Sequence, residues 1–327
     1  MKRRILSALM ALAMVAGLMT GCSAPAAGGD NAGSEGASQA ELAPVSKDEI
    51  KVGFVYISDS SDMGYTYNHE LGTKEMQEKL GLRDDQIISK YNVPEGAECD
   101  TALRELVEAG CNVIFATSFG YEDYVKEVAA EYPNIQFCHA TGYQAASSGL
   151  PNFHNYFASI YEARYLAGIA AGLKTETNKL GYVAAYPFAE VISGYTAFYL
   201  GAKSVNPDVT MEIMYTNSWN DPTVESQVAK ALIDRGCDVV SQHSDSTAPA
   251  TTAEDNGVWQ VGYNNDMIEA APKASLISAR IDWGIYVTEA VEHVINGTEI
   301  PTDWCKGYGD GAVYLSPLNT ADRKSVV

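Results

Sequence analysis

KVGFVYISDSSDMGYTYNHELG, running from Lys51 to Gly72, holds a strand, a loop and the opening of a helix. The run Val52-Gly53-Phe54-Val55-Tyr56-Ile57 is nearly continuous in β-branched and aromatic residues, as expected of a strand covered on both faces in a parallel sheet. Ser58 to Gly64 is small and polar, with Ser and Asp residues able to cap a helix that Tyr65 opens and Leu80 closes. Loops at the carboxyl ends of strands are where open α/β sheets bind ligands. Asp62, Tyr65 and Asn68 are therefore the first binding candidates.

Upstream lies a basic start, Met1-Lys2-Arg3-Arg4, and then an apolar run from Ile5 to Leu18. This order reads as an export signal over residues 1–22, too short to prefer a membrane span. Its end, Met19-Thr20-Gly21-Cys22, resembles a bacterial lipobox, so Cys22 is the expected lipidation site, with cleavage near Ala24 or Ala26 as the plainer alternative. Residues 23–48 are mostly Ala, Gly, Ser and acids, a composition that reads as a flexible tether. Lipidation and tether together place the expected domain at the membrane, on its extracytoplasmic face.

From Glu49 onward the chain exceeds one average domain, which suits two lobes. The formal charge of −20 becomes −23 once a leader carrying Lys2, Arg3 and Arg4 is removed, and such acidity argues against nucleic acid as a partner. Cys99, Cys111, Cys138, Cys237 and Cys305 lack CxxC spacing and read as free thiols, mostly buried. The five histidines show no HxH or HxxxH spacing, so neither a metal nor another cofactor is expected.

The strand-then-helix unit recurs. After a short strand at Gln86 to Tyr91, Asn112 to Ala116 is an apolar strand whose loop carries Phe119, and Asn134 to His139 is a fourth strand, with helices at Glu98 to Ala109 and Tyr121 to Tyr132. After Asn152 to Ser159 comes YEARYLAGIAAG, a helix with small residues nearly all round, expected at the lobe junction. The pattern then restarts with strands at Lys179 to Tyr186, Val209 to Thr216, Asp238 to Ser241, Trp259 to Gly262 and Ser275 to Arg280. Asp221 with Pro222 starts a helix as N-cap and first residue. A helix from Gly284 to Asn296 returns the chain to the first lobe, where Gly307 to Leu315 is expected to add a closing strand. The expected fold is α/β with two lobes, each a parallel sheet flanked by helices, lobe 1 holding residues 49–158 and 284–327 and lobe 2 residues 159–283.

At the carboxyl ends of these strands sit Phe119, Trp219, Asp221, Asp245, Tyr263, Asp266, Asp282 and Trp283. Aromatic faces beside carboxylates suit a flat, nitrogen-rich ring, which stacks and donates N–H groups; the same set can also grip a sugar. Each residue has a structural alternative: Tyr65 and Phe119 as cover for helix ends, Asp62, Asp221 and Asp245 as N-caps, Trp283 as hinge packing. No Ser/His/Asp order, nucleophile elbow, phosphate loop or metal spacing accompanies Asp245 and Asp266, so no enzyme is expected.

KVGFVYI, DMGYTYNHELG, YEARYLAGIAAG, SWNDP, QHSDS, GYNNDM and DWG, in that order, resemble the basic membrane protein family of ABC-transporter substrate-binding lipoproteins, whose members include purine nucleoside receptors. The resemblance covers Lys51 to about Leu318. It implies a type I periplasmic-binding-protein fold closing on a small-molecule ligand, with an ABC permease and ATPase as partners. It also implies that Trp219 takes the place of a Phe stacked on the purine, that Phe119 faces the other side or edge of the ring, and that Asp266 and the Asp62–Tyr65 loop contact the ligand. Nucleoside receptors carry a Lys just after the SLISA-like strand, where this chain has Ile281-Asp282-Trp283. A bare base such as adenine thus competes with a nucleoside as the expected ligand. The alternatives are a receptor for a sugar or other metabolite on the same fold, and a surface sensor or adhesin without transport. Family members usually continue for a few elements past Leu318, so a shortened C-terminus is expected.

Overall fold

The computed structural model describes residues 42–319. The export signal, Cys22 and most of the tether lie outside these residues. The last part of the expected tether is instead ordered packing: Leu42 and Val45 lie against the first hydrophobic core, and the Val45 amide donates to the Val294 carbonyl at 3.1 Å.

In chain order the elements are β1 (Val52–Val55), α1 (Tyr65–Leu80), β2 (Ile87–Lys90), α2 (Ala97–Glu108), β3 (Val113–Ala116), α3 (Glu122–Glu131), β4 (Gln136–Ala140), α4 (Ala145–Ser148), β5 (Phe153–Tyr156) and α5 (Ile160–Lys174). They continue with β6 (Lys179–Ala184), α6 (Ala189–Val205), β7 (Thr210–Tyr215), α7 (Pro222–Asp234), β8 (Val239–His243), α8 (Ala248–Asn256), β9 (Trp259–Tyr263), β10 (Ser275–Ile281), α9 (Trp283–Asn296), β11 (Asp303–Trp304) and β12 (Val313–Leu315). The first sheet has the order β11-β5-β4-β3-β1-β2 and is parallel throughout. The second, β12-β10-β9-β8-β6-β7, is parallel except where β12 meets β10. Both halves are therefore doubly wound with one topology, each reversing strand direction of travel beside its first strand, at β1/β3 and at β6/β8.

One expectation is overturned. The closing strand, Val313–Leu315, joins the second sheet and not the first, running antiparallel with Ile281 opposite Val313 and Ala279 opposite Leu315. The first sheet is closed by β11, whose Trp304 pairs with Tyr156. The chain thus passes between the halves three times, at residues 157–159, at Asp282 and between 305 and 312.

Ala163 of α5 packs at the junction, in the first core, whereas its glycines serve α6: a Cβ on Gly168 would lie 2.0 Å from the Phe198 carbonyl oxygen, so only glycine lets the two backbones touch. On the other side, α9 carries Trp283, Tyr286, Val287 and Val291 into the core that α1 and β1 share. Cys99, Cys111, Cys138 and Cys237 are buried and unpaired, and Cys305 is exposed.

His69 on α1 is buried at this junction, stacked on Trp283 with ring centroids 4.1 Å apart. Burial alone lowers its pKa to about 3. The unfolded chain takes up that proton near the ordinary histidine value and the folded one does not, so stability falls as pH drops from about 6.5 toward 3. His69→Phe keeps a stacking ring without the titration. Between about pH 7 and about pH 5 the variant should lose about 2 kcal/mol less stability than the wild type, read by chemical denaturation at both pH values. Equal losses would show that His69 ionises freely in the fold.

Candidate functional site

A narrow cavity lies between the carboxyl ends of the two sheets, where the switch points of both halves face one another. From the first half come Tyr65 at the start of α1, Ser118 and Phe119 after β3, Thr141 after β4 and Phe157 after β5. The second half supplies Glu190 in the first turn of α6, Trp219 after β7, His243 and Asp245 at the end of β8, and Tyr263 at the end of β9.

The aromatic side chains form one run across the cleft. Phe119 stacks on Phe188 of the opposite half at 4.4 Å and 19°. Phe188 in turn lies 5.2 Å from Tyr186 and 6.0 Å from Trp219, and Tyr186 meets Trp219 edge-on at 5.0 Å. Phe119 and Trp219 thus share one hollow, with Phe188 between them.

Of the residues singled out from the sequence, Tyr65, Phe119, Trp219, Asp245 and Tyr263 line the cavity. The other five do not, and their side chains are committed elsewhere. Asp62 is the anchor of α1, accepting the amides of Gly64 at 2.9 Å, Thr66 at 2.8 Å and Tyr67 at 3.0 Å. Its carboxylate sits at the positive end of that helix. Asn68 donates to the Ile281 carbonyl at 2.9 Å and ties α1 to the end of β10. Asp221 caps α7 through the Thr223 and Val224 amides. Asp266 accepts from the Ile268 amide at 3.1 Å in the loop after β9. Trp283 is buried against His69 and Tyr156.

Sequence reasoning missed Phe188, Glu190, Ser118, Thr141, Phe157 and His243. For Phe188 and Glu190 the signal was present: their loop follows β6 just as Ser58 to Gly64 follows β1, and the repeat assigns it the same place in the cleft.

Electrostatically the cavity is acidic and almost free of cations. Asp245 is buried, and burial together with Asp62, Glu225, Glu95 and Glu190 holds its carboxyl well above the usual range. Glu190 is pushed up to about 8 by burial and by Glu95 and Glu122. His243 is held neutral by burial and by Arg164, whose guanidinium lies 4.0 Å over the outer face of Tyr263. A hollow of rings with acids and no basic lining favours ligands rich in N–H and disfavours phosphates.

The halves also meet directly. Asn220 donates to the Ser58 hydroxyl at 3.1 Å and Asn265 to the Met63 carbonyl at 3.1 Å. At Gly64 the backbone packs against the Asp245 carbonyl so closely that a Cβ would lie 1.7 Å from its oxygen.

Among solved structures, a solute-binding protein of an ABC transporter system from Aeropyrum pernix superposes with a TM-score of 0.70 over 82% of this chain and 76% of its own, at 20% identity. That likeness establishes the two-lobed solute-binding fold. In sequence, a purine-binding protein of Brucella abortus is 38% identical over 311 residues, 94% of this chain and 81% of its own length. A putative ABC transporter glucose-binding protein of Haloferax volcanii is 37% identical over 256 residues, 78% of this chain and 63% of its own. The family profile described as ABC transporter substrate-binding protein PnrA-like matches residues 49–326. With that span matched, and with two doubly wound halves closing on one aromatic cavity, the chain belongs to the PnrA-like (Bmp) family of ABC transporter substrate-binding proteins.

Proposed function

We propose that this protein captures a purine, as base or nucleoside, in the cavity between its lobes and hands it to a permease and its ATPase. Cys22 would carry the lipid that holds it on the extracytoplasmic face of the membrane. Residues 49–158 with 283–312 would form the first lobe and residues 159–282 with β12 the second, a division that the sheets support. No covalent chemistry is required of the site; closure over the ligand is the whole of its work. The observation that carries this reading is the run of rings from both halves, Phe119, Phe188 and Trp219, beside the carboxyls of Asp245 and Glu190. Rings stack on either face of a purine, and the acids meet its edge. The purine-binding name of the Brucella relative points the same way.

A sugar is the second reading, favoured by the glucose-binding name of the Haloferax relative. Thermal shift separates them. A ligand present at about a hundred times its Kd stabilises the folded state by about 2.7 kcal/mol, or roughly 5 °C in Tm for a chain of this size. Adenine, guanine, hypoxanthine and their nucleosides should include at least one that gives this shift, and glucose and galactose should give none. The reverse pattern transfers the site to sugars.

A further inference from the structure

The edge chemistry of the cavity narrows the class of purine. Asp245 is buried at the base of the hollow, and among the described residues no hydrogen-bond donor reaches its carboxyl. The charged groups that act on it most are acidic: Asp62 from the turn before α1, Glu225 from α7, Glu95 from the loop before α2 and Glu190 from α6. Tyr65 of α1 and Tyr263 of β9 face it as neutral phenols, and His243 of β8 is a neutral ring. Arg164 of α5 lies against the Tyr263 ring and donates to the Gln242 carbonyl at 2.7 Å, while its Nε and Nη2 reach no acceptor among the described residues, the Asp245 carboxyl included. A carboxylate with neither donor nor cation is the costliest occupant of such a place.

Resting on the purine reading above, we propose that Asp245 meets its ligand as a carboxylic acid and thereby selects 6-aminopurines. A neutral carboxyl presents one donor and one acceptor side by side. That is the complement of a ring nitrogen next to an exocyclic amino group, the edge that the amide of Asn or Gln reads on adenine. A carboxylate presents two acceptors and fits the paired N–H groups of guanine instead. Binding of adenine above the free carboxyl's titration point therefore takes up one proton from solvent, which becomes the hydrogen shared between the Asp245 hydroxyl and the ring nitrogen.

Calorimetric titration of the whole mature protein with adenine, guanine and glucose, from about pH 6 to about pH 10, tests this without any mutation. Adenine should bind tighter than guanine at the acid end. Its affinity should then fall by about tenfold per pH unit beyond the titration point, with proton uptake visible as a dependence on buffer ionisation heat. Asp245→Ala should lose adenine at every pH. Asp245→Asn, which restores the donor–acceptor pair, should recover it and remove the share of the pH dependence that Asp245 causes, leaving that of Glu190. An adenine affinity that rises with pH, or an Asp245→Asn protein that does not recover binding, overturns the proposal while leaving a purine receptor in place. Glucose binding with no purine bound at any pH overturns the purine reading itself.

Discussion

Gly64→Ala is expected to weaken ligand binding by about a hundredfold or more while leaving the fold of each half intact. The added methyl would sit 1.7 Å from the Asp245 carbonyl oxygen and 2.7 Å from its carbon. Neither side can yield cheaply. Gly64 is fixed by the Asp62 carboxylate that holds its amide at 2.9 Å. The opposing loop is held by the Asp245 amide on the Trp219 carbonyl at 2.9 Å, by Gln242 donating to the Ser244 and Ser246 carbonyls, and by the buried Glu225 accepting both serine hydroxyls. Contact distances of at least about 3 Å are then recovered only by moving the halves apart, which also stretches the Asn220–Ser58 and Asn265–Met63 bonds. A ligand affinity that depends on closure falls by the factor by which the closed population falls, and about 3 kcal/mol against closure is two orders of magnitude. Titration calorimetry gives the affinity, small-angle scattering the degree of closure, and an unliganded melt the fold. Wild-type affinity in this variant would show that the halves need not meet at Gly64 for the ligand to be held.

How far the sequence foretold this molecule differs between its layers. Strands covered on both faces announce themselves by composition, so VGFV, VIFA and their counterparts in the second half were legible without a structure. The Asp221–Pro222 start of α7 was legible too, because an N-cap followed by proline leaves little else to do. Helix α8 was not: APATTAEDN has no apolar stripe and mixes its three alanines with Pro, Thr, Asp and Asn, and its place is fixed by Ala250 and Ala253 packing beside Met267 and Ala271. The partner of β12 was equally hidden, since three residues, Val-Tyr-Leu, carry no signal for one sheet over the other. For the site, aromatic and acidic residues at strand ends were the right kind, and five of them meet in the cavity. Separating them from Asp62, Asp221 and Asp266 required knowing where free backbone amides point, because an aspartate that caps and one that awaits a ligand look alike in sequence.

That distinction gives the second large effect. Trp219→Ala should lower purine affinity by roughly 10–100-fold, the loss of 1–3 kcal/mol of stacking on a base, with a smaller loss of stability in the free protein than a fully buried tryptophan would give. The indole is half-buried, meets the rings of Tyr186 and Phe188, and packs only on the margin of the second half's core. Its backbone role, accepting the Asp245 amide, survives the truncation. Trp283→Ala is the opposite case. That indole is buried in the core between His69, Tyr65, Tyr156 and Phe157, and its removal should cost about 3–5 kcal/mol of stability. Binding per folded molecule should change less than in Trp219→Ala, because Trp283 does not line the cavity. Measuring Kd and denaturation midpoint for both variants places the two tryptophans on separate axes, one of recognition and one of packing. Were Trp219→Ala to bind purines normally, the stacking surface would have to be Phe188 and Phe119 alone, one ring from each half.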